Sequence, residues 1–366
     1  MRVLYAINSG VLGGAEKHIA DLTHGLSAKG HSVHIWCEAG LIDELFKNTT
    51  AVVTHQKLHF DICLSYIFKL YNYLKRENID VVHTHDLKAG VNALIAAKLA
   101  GVPVRVGHIH TPLSVWEISG VKKAINLFVY RLVHTTCATH EIAITNTARD
   151  IKLKEGLDPA KIVVIPNAVN IDTKYDPALV AQYLSQWGFT DTFVMGCVGR
   201  LSIEKNLSLL IKAFHKLALE HENIRLVLIG GGDEESKLKA LINELNLEQK
   251  VVITGVFPDG HKAALFKTLN LFVFPSLTEG FGYVPLEALS LGLPVISSDI
   301  PVLKEVFQDS VVYFKSNDEN DLCTKLKDFV TTNKGIDRAI VSKTVASYSM
   351  SAFISNYLSL YERKVL

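Results

Sequence analysis

Two glutamates, Glu279 and Glu287, bracket the stretch TEGFGYVPLE (278–287), which follows directly on the apolar run LFVFPS (271–276). Between them lie Gly280, Phe281 and Gly282. Upstream, VGRLSIEKN (198–206) supplies two cations, Arg200 and Lys205, just after another apolar run that ends at Gly199. A guanidinium fork and a mobile ammonium suit the spread of anionic oxygens on a diphosphate. Carboxylates do not: two unit charges about 4 Å apart repel by about 4 kcal/mol at an effective dielectric near 20. Glutamates beside such a group would therefore grip neutral hydroxyls. A nucleotide sugar carries hydroxyls on both sides of its diphosphate, ribose on one and hexose on the other, so each glutamate has a partner. Gly280 and Gly282 would bare backbone N–H groups to sugar oxygens or to the distal phosphate. Singly, each glutamate also reads as an ordinary helix or loop acid, and each cation as a solvated loop charge. The combination is what points to a ligand.

Other stretches offer weaker chemistry. GGGDEESK (230–237) joins a strand to a helix, and its glycines allow a tight turn or a close approach to a ligand; Asp233 and Glu234 read as helix caps. NSGVLGGAEKH (8–18) opens the chain's first helix. Gly13 and Gly14 would bring backbone N–H groups towards a phosphate, although the spacing with Gly10 departs from G-x-G-x-x-G. Glu38, ending the second strand, imitates a ribose-binding acid and keeps a nicotinamide enzyme in view. Histidines close two further strands, VVHTHD (81–86) and VGHIHTP (106–112). On a strand, His83 and His85 share a face, as do His108 and His110; His85 and His110 lie nearest the carboxyl ends. A metal site is the rival reading there, but no partnering Asp or Glu spacing stands out, and no D-x-D flanked by apolar residues is present to hold a divalent ion.

These residues need a scaffold that gathers strand ends. β-branched runs at 2–8, 33–39, 81–85, 104–110, 141–145 and 161–166, then at 193–199, 224–230, 251–255, 271–276, 294–299 and 311–314, alternate with amphipathic stretches. That alternation predicts α/β architecture with parallel sheets covered on both faces. Right-handed crossovers then give two Rossmann-like doubly wound domains facing across a cleft. At 366 residues two domains are the natural expectation. The pattern thins between Pro166 and Phe193, where PNAVNIDTKYDP reads as the linker. The predicted domains are 1–172, joined by a final helix at about 350–366, and 173–349. Pro285 is expected at the first position of the short helix that carries Glu287.

Composition narrows the class. Lys and Arg number 38 against 37 Asp and Glu, so no basic field suggests nucleic acid. Twelve of the 15 histidines precede residue 190, hinting that the halves do different work. Five scattered cysteines without a C-x-x-C pair read as buried thiols in a reducing compartment. The amino terminus enters a strand without a signal-peptide pattern, and no run reaches the length of a membrane span, which predicts a cytoplasmic protein. One stretch, SGVKKAINLFVYRLVH (119–134), sets Lys122, Lys123 and Arg131 beside an apolar stripe. It would suit an anionic bilayer or a lipid-linked acceptor, but a core-facing stripe is the commoner arrangement and the one expected. Oligomeric state has no readable signal.

Taken together, GGAE (13–16), VVHTHD (81–86), HIHT (108–111), IPNAVN (165–170), VGRLSIEKN, LIGGGDE (228–234), PSLTEGFGYVPLEALSLGLPVISSD (275–299) and Glu305 resemble the retaining glycosyltransferases of family four, with their GT-B fold. The resemblance covers nearly the whole chain, and its most specific element is Glu279-x7-Glu287 joined to Arg200 and Lys205. It implies a hexosyltransferase that moves a sugar from a UDP- or GDP-linked donor to an acceptor hydroxyl with retention, in cell-surface polysaccharide or glycolipid synthesis, without metal or other cofactor. By position, Arg200 and Lys205 would hold and stabilise the departing diphosphate, and Glu287 the ribose. Glu279 would hold the transferred sugar together with Gly280 and the backbone at Phe281 and Gly282. Gly13 and Gly14 would approach the diphosphate from the first domain, and His110 would sit by the reacting sugar. The resemblance also implies a last helix that crosses back to the first domain. Ala168 replaces a frequent glycine and Tyr283 a usual aliphatic residue. A sugar-nucleotide epimerase, a phosphorylase and an inactive nucleotide-sugar binder are the rivals on the same fold.

Overall fold

The computed structural model describes residues 1–11, 13–47, 49–58, 60–110, 113–116, 119–169 and 173–362. They form two compact units, Met1–Ala168 with Met350–Leu366, and Val169–Ser349. The first unit contains β1 (Arg2–Ala6), α1 (Gly14–Ala28), β2 (Ser32–Cys37), β3 (Val52–His55), α2 (Leu64–Arg76), β4 (Val81–Thr84), α3 (Leu87–Ala100), β5 (Val104–Gly107), α4 (Gly120–Cys137), β6 (His140–Ala143), α5 (Asn146–Lys154) and β7 (Ile162–Val164). Its strands pair in parallel in the order β3-β2-β1-β4-β5-β6-β7. The second unit contains α6 (Pro177–Trp187), β8 (Phe193–Val198), α7 (Leu207–Ala218), β9 (Ile224–Ile229), α8 (Glu235–Glu244), β10 (Val251–Ile253), α9 (Lys262–Lys267), β11 (Leu271–Phe274), α10 (Tyr283–Ser290), β12 (Val295–Ser298), α11 (Pro301–Phe307), β13 (Val312–Phe314), α12 (Glu319–Thr332) and α13 (Arg338–Ser347). Its parallel sheet runs β10-β9-β8-β11-β12-β13. The last helix, α14 (Met350–Glu362), returns to the first unit.

Period-two side-chain direction explains the layers. In β1, Val3 and Tyr5 face a core shared with Ile19 and Leu22 of α1 and with Phe353, Ile354 and Tyr357 of α14. Leu4 and Ala6 face the opposite side, against Leu70 of α2 and Ala93 and Ala97 of α3. A strand buried on both faces reads as a continuous apolar run, as β11 does in LFVF. Helix α14 lies close enough that a Cβ on Gly25 would meet Ile354 Cδ1 at 2.2 Å, so α1 needs its glycine there.

Both sheets are doubly wound, and both reverse direction at their first strand. In the first unit the reversal lies between β1 and β4, and in the second between β8 and β11. The carboxyl ends of the strands flanking such a reversal are the usual ligand position of open α/β sheets.

Several expectations need correction. β3 was not anticipated: it is a short edge strand with exposed or half-buried residues and little apolar density. β4 and β5 end at Thr84 and Gly107, the last register pair between them, so His85, His108 and His110 lie on the turns beyond. Pro285 is the third residue of α10, not the first. Gly282 starts the helix from the left-handed region (φ +93°), and proline is tolerated in a first turn whose N–H groups have no intrahelical partner. Glu234 occupies the cap position of α8 without capping it, and its carboxylate pairs with Lys237 instead, at 2.7 Å. Part of the expected linker is α6, capped by Asp176 with Pro177 behind it. Finally, α4 turns Tyr130, Val133, His134 and Cys137 inward and leaves Val121, Ile125, Phe128 and Leu132 exposed, so the apolar stripe expected to face the core does not.

Candidate active site

In the second unit the turn after β8 carries Arg200 and Lys205, and the turn after β11 carries Glu279 to Gly282. The two turns meet across the strand-order reversal. Lys205 Nζ lies 2.5 Å from Glu279 Oε1, both side chains mostly buried, and 5.0 Å from the centre of the Phe274 ring. Leu277 N–H donates to Glu204 O at 2.8 Å and fastens one turn to the other. Arg200 is solvent-exposed, 3.3 Å from Glu204 Oε1, and so free to swing. Glu287 projects from α10 with Oε1 2.6 Å from Lys262 Nζ. Its Oε2 is buried and has no hydrogen-bond partner. A carboxylate oxygen in that state costs about 1–3 kcal/mol until a donor reaches it.

Backbone packing holds these turns in shape. A Cβ on Gly230 would stand 2.0 Å from Gly199 O, and one on Gly232 would stand 2.3 Å from Leu201 O. The glycines of 230–232 therefore serve contact with the turn after β8, and Leu201 N–H donates to Gly231 O at 3.0 Å. Phe281 is buried, with its ring edge-on to Tyr348 at 5.4 Å between centres. Gly282 is required twice: its φ is +93°, and a Cβ would meet Leu303 Cδ2 at 2.8 Å.

The first unit repeats the device. A Cβ on Gly40 would lie 2.2 Å from Gly10 O, so the turns after β1 and β2 also touch backbone to backbone. Gly13 precedes α1 in an extended conformation, and a Cβ on Gly14 would meet open space. Glu38 pairs with Lys57 at 2.6 Å. On the turns beyond β4 and β5, His85 Nδ1 stands 3.3 Å from His110 Nε2. Burial pushes His110 down to about 4, helped by the nearby Lys152 charge, so its imidazole is neutral at physiological pH. Beneath it, Lys152 Nζ donates to Ile109 O at 3.1 Å and to Glu141 Oε1 at 2.5 Å, while Tyr130 OH donates to Glu141 Oε1 at 2.6 Å. For Glu141, burial alone would raise the pKa; His134 and Lys152 outweigh it and hold the carboxyl well below its ordinary range.

The family model described as Glycosyltransferase Family 4 matches residues 12–173, and that described as Glycosyl transferases group 1 matches residues 183–344. The chain belongs to the family-four type of GT-B glycosyltransferases. Among its relatives, the Escherichia coli UDP-Gal:alpha-D-GlcNAc-diphosphoundecaprenol alpha-1,3-galactosyltransferase is 35% identical over 245 residues, 64% of this chain and 61% of that protein. The gpi3 subunit of the Schizosaccharomyces pombe phosphatidylinositol N-acetylglucosaminyltransferase is 26% identical over 334 residues, 87% of this chain and 70% of its own length. The match to the first relative thus spans about three fifths of its length. HepE of Anabaena, in complex with UDP, superposes with a TM-score of 0.81 at 22% identity, over 98% of this chain and 99% of that one. The apo form of the lipopolysaccharide outer core galactosyltransferase WaaB gives 0.74 at 19%, over the full length of both. At those identities the structures speak for the fold.

Within this family-four chain, Arg200, Lys205, Glu279, Gly280, Phe281 and Gly282 lie on the turns after β8 and β11 of the second unit, and Glu287 lies on α10, which follows the second of these turns. Gly13, Gly14 and His110 belong to the turns and first helix of the other unit. Sequence reasoning missed Lys262, which meets Glu287 only because α9 and α10 are neighbours, and it missed the buried Glu141–Lys152 pair. It also missed His18, whose ring lies 5.1 Å from that of His110. Thr111, the end of the HIHT motif, and Asn170, the end of IPNAVN, fall outside the described residues.

Proposed function

We propose that the protein transfers a hexosyl group from a nucleoside-diphosphate sugar, a uridine nucleotide first among them, to an acceptor hydroxyl with retention of anomeric configuration. The observation that carries this reading is the second-unit constellation. Lys205 and Glu279 meet across the strand-order reversal, and the buried Glu287 Oε2 waits for a donor. Ribose hydroxyls would satisfy that oxygen, and sugar hydroxyls would take Glu279. Lys205, released from Glu279, would turn with Arg200 to the diphosphate, so that side-chain cations rather than a divalent ion meet its charge. HepE, bound to UDP or UDP-glucose in its crystal structures, lends support to the choice of base.

In the reaction the bond between the anomeric carbon and the phosphate oxygen breaks. The diphosphate leaves with that electron pair, and the acceptor oxygen forms the new bond on the same face. The acceptor's proton passes to the departing phosphate oxygen, so the products are the glycoside and the nucleoside diphosphate. Negative charge grows on the bridging oxygen, and Arg200 and Lys205 stabilise it more in the transition state than in the ground state. Neutral His110 would contribute hydrogen bonding to the reacting sugar without adding charge.

The names of the Escherichia coli and Schizosaccharomyces pombe relatives specify a diphosphoundecaprenol-linked and a phosphatidylinositol acceptor. A lipid-linked acceptor is therefore proposed here too, in cell-surface glycan or glycolipid synthesis, reached by peripheral contact through α4. Among the described residues no helix is long and apolar enough to cross a membrane, whereas Val121, Ile125, Phe128 and Leu132 form an exposed apolar stripe. Lys122 flanks it; Lys123 and Arg131 bond the backbone carbonyls of Ser114 and Glu155. Thermal-shift screening of a nucleotide-sugar panel, followed by NMR of the product's anomeric configuration, tests the assignment. Inversion, or indifference to every nucleotide sugar, would overturn it.

A further inference from the structure

Strand β4, the turns after β4 and β5, and helix α1 bring five histidines together: His18, His83, His85, His108 and His110. The rings of His18, His85 and His108 are nearly or wholly buried, and their centres lie 4.9 to 5.5 Å apart. A cluster of buried imidazoles is costly unless its nitrogens find partners, and here several do not. His18 Nδ1 faces Asn167 Oδ1 at 3.1 Å. An amide oxygen only accepts, so Nδ1 carries the proton and Nε2 keeps a bare lone pair. That Nε2 is buried without a partner, as are His85 Nε2 and both ring nitrogens of His108. Burial also holds all three rings neutral, the state in which imidazole ligates.

One nitrogen from each of these rings lies within 4.8 Å of one from each of the others. Zn–N bonds of about 2.0–2.1 Å in a tetrahedron set ligand nitrogens about 3.4 Å apart, so small ring rotations would close the set. We propose that His18, His85 and His108 form a buried site for one divalent transition-metal ion of the zinc type, with water as a fourth ligand. Imidazole nitrogens select zinc, cobalt or nickel over the hard ions magnesium and calcium. Asn167 is the partner that orients a metal-bound histidine from behind. The ion would pin α1 to the turns after β4 and β5. With His85 Nε2 on the metal, His85 Nδ1 carries its proton and donates to His110 Nε2, which fixes the tautomer of His110. The site lies wholly within the first unit and places no metal on the donor diphosphate.

A second trio within ligand distance, Cys37, Asp43 and His55, fits less well. Burial pushes the Cys37 thiol up to about 12, and His55 Nε2 is already bonded to Asp43 Oδ1 at 2.9 Å. The deciding experiment uses the full chain without a polyhistidine tag, stripped with chelator and titrated with Co(II). Saturation at about one equivalent, a visible d–d band of tetrahedral form, no thiolate charge-transfer band and a raised thermal midpoint are expected. His108→Leu and His85→Leu should lose the band, and His55→Ala should keep it. Asn167→Ala should weaken the ion by about 10–100-fold. Folded wild-type protein without the band overturns the proposal, as does a thiolate band or undiminished binding in His108→Leu. Should the leucine variants fail to fold, the wild-type titration and Asn167→Ala decide alone.

Discussion

Replacing Glu287 by Gln separates donor binding from stability, because the structure gives the two carboxylate oxygens different work. Oε1 pairs with Lys262 at 2.6 Å, and the Lys262 side chain is 40% exposed. Pairs of that kind contribute about 0–1 kcal/mol. Oε2 has no partner and is buried. In the protein without ligand, Gln removes a charge from an unsatisfied position as well as from the pair. The two effects oppose, so the net change in stability should stay within about 1 kcal/mol, or about 2–4 °C for a unit of this size. With donor bound, a ribose hydroxyl bonded to a charged acceptor is worth about 1.5–3 kcal/mol, so the variant should bind UDP roughly 10- to 150-fold more weakly. Ribose contacts are made equally in the ground and transition states, so KM should rise while kcat holds. Calorimetric titration with UDP measures the first effect, thermal unfolding the second, and initial rates the third. Glu319→Gln provides a control, since Glu319 pairs with Lys216 at the same 2.6 Å on α12 and α7; UDP affinity there should not move. Unchanged UDP affinity in Glu287→Gln would refute the reasoning, and a fall shared equally by the control would show a general loss of fold.

Arg200→Ala should leave thermal stability within about 0.5 kcal/mol, since the side chain is exposed, yet lower kcat by about 100- to 1,000-fold in a transfer assay if it stabilises the leaving group. Lys152→Met strands the buried Glu141 and should cost about 3–5 kcal/mol at pH 7 by chemical denaturation, with Glu141→Gln in the same chain recovering part of it. Glu141 is held below its ordinary 4.5 in the folded state, so its contribution is full above that pH and fades as pH falls; the gap between wild type and Lys152→Met should therefore narrow on acidification. Phe128→Asp, at a position 67% exposed, should leave folding intact and cut co-sedimentation with anionic vesicles by roughly 10- to 150-fold, the equivalent of about 1.5–3 kcal/mol for burying a phenylalanine.

Residue type and spacing made the placement of the candidate second-unit residues legible in the sequence. The strand-to-helix positions of Arg200, Lys205, Glu279 and Glu287 follow from their flanking apolar runs. Lys262 escaped because its meeting with Glu287 depends on how α9 and α10 pack, which no local pattern encodes. His18 escaped for a similar reason: within AEKHIADLTH it is one polar residue of an amphipathic helix, and only the winding of β4 and β5 beside β1 places it against His85 and His108. In α4 the sequence carries two apolar stripes at helical spacing. Periodicity reveals both but cannot say which one meets the sheet. β3 lacked the apolar density that marks a central strand, because an edge position buries little of it.

The two units share a construction and differ in the chemistry set beside it. In each, glycines press the turn after the first strand onto the turn after the second: Gly10 against Gly40, and Gly199 against Gly230. This packing spends the glycines on backbone contact and leaves the chemistry to the residues beside them. In the second unit those residues are ionic: Arg200, Lys205, Glu279, Glu287 and Lys262. In the first they include bare backbone at Gly13 and Gly14 and imidazoles that burial keeps neutral, beside the Glu38–Lys57 pair. Under the proposed reading, Arg200 and Lys205 would supply countercharge to a dianionic diphosphate, so much of the affinity for a sugar nucleotide should already be present in UDP. The imidazoles of the first unit would suit discrimination among hydroxyls, because a hydrogen bond to a neutral imidazole depends on geometry far more than on net charge.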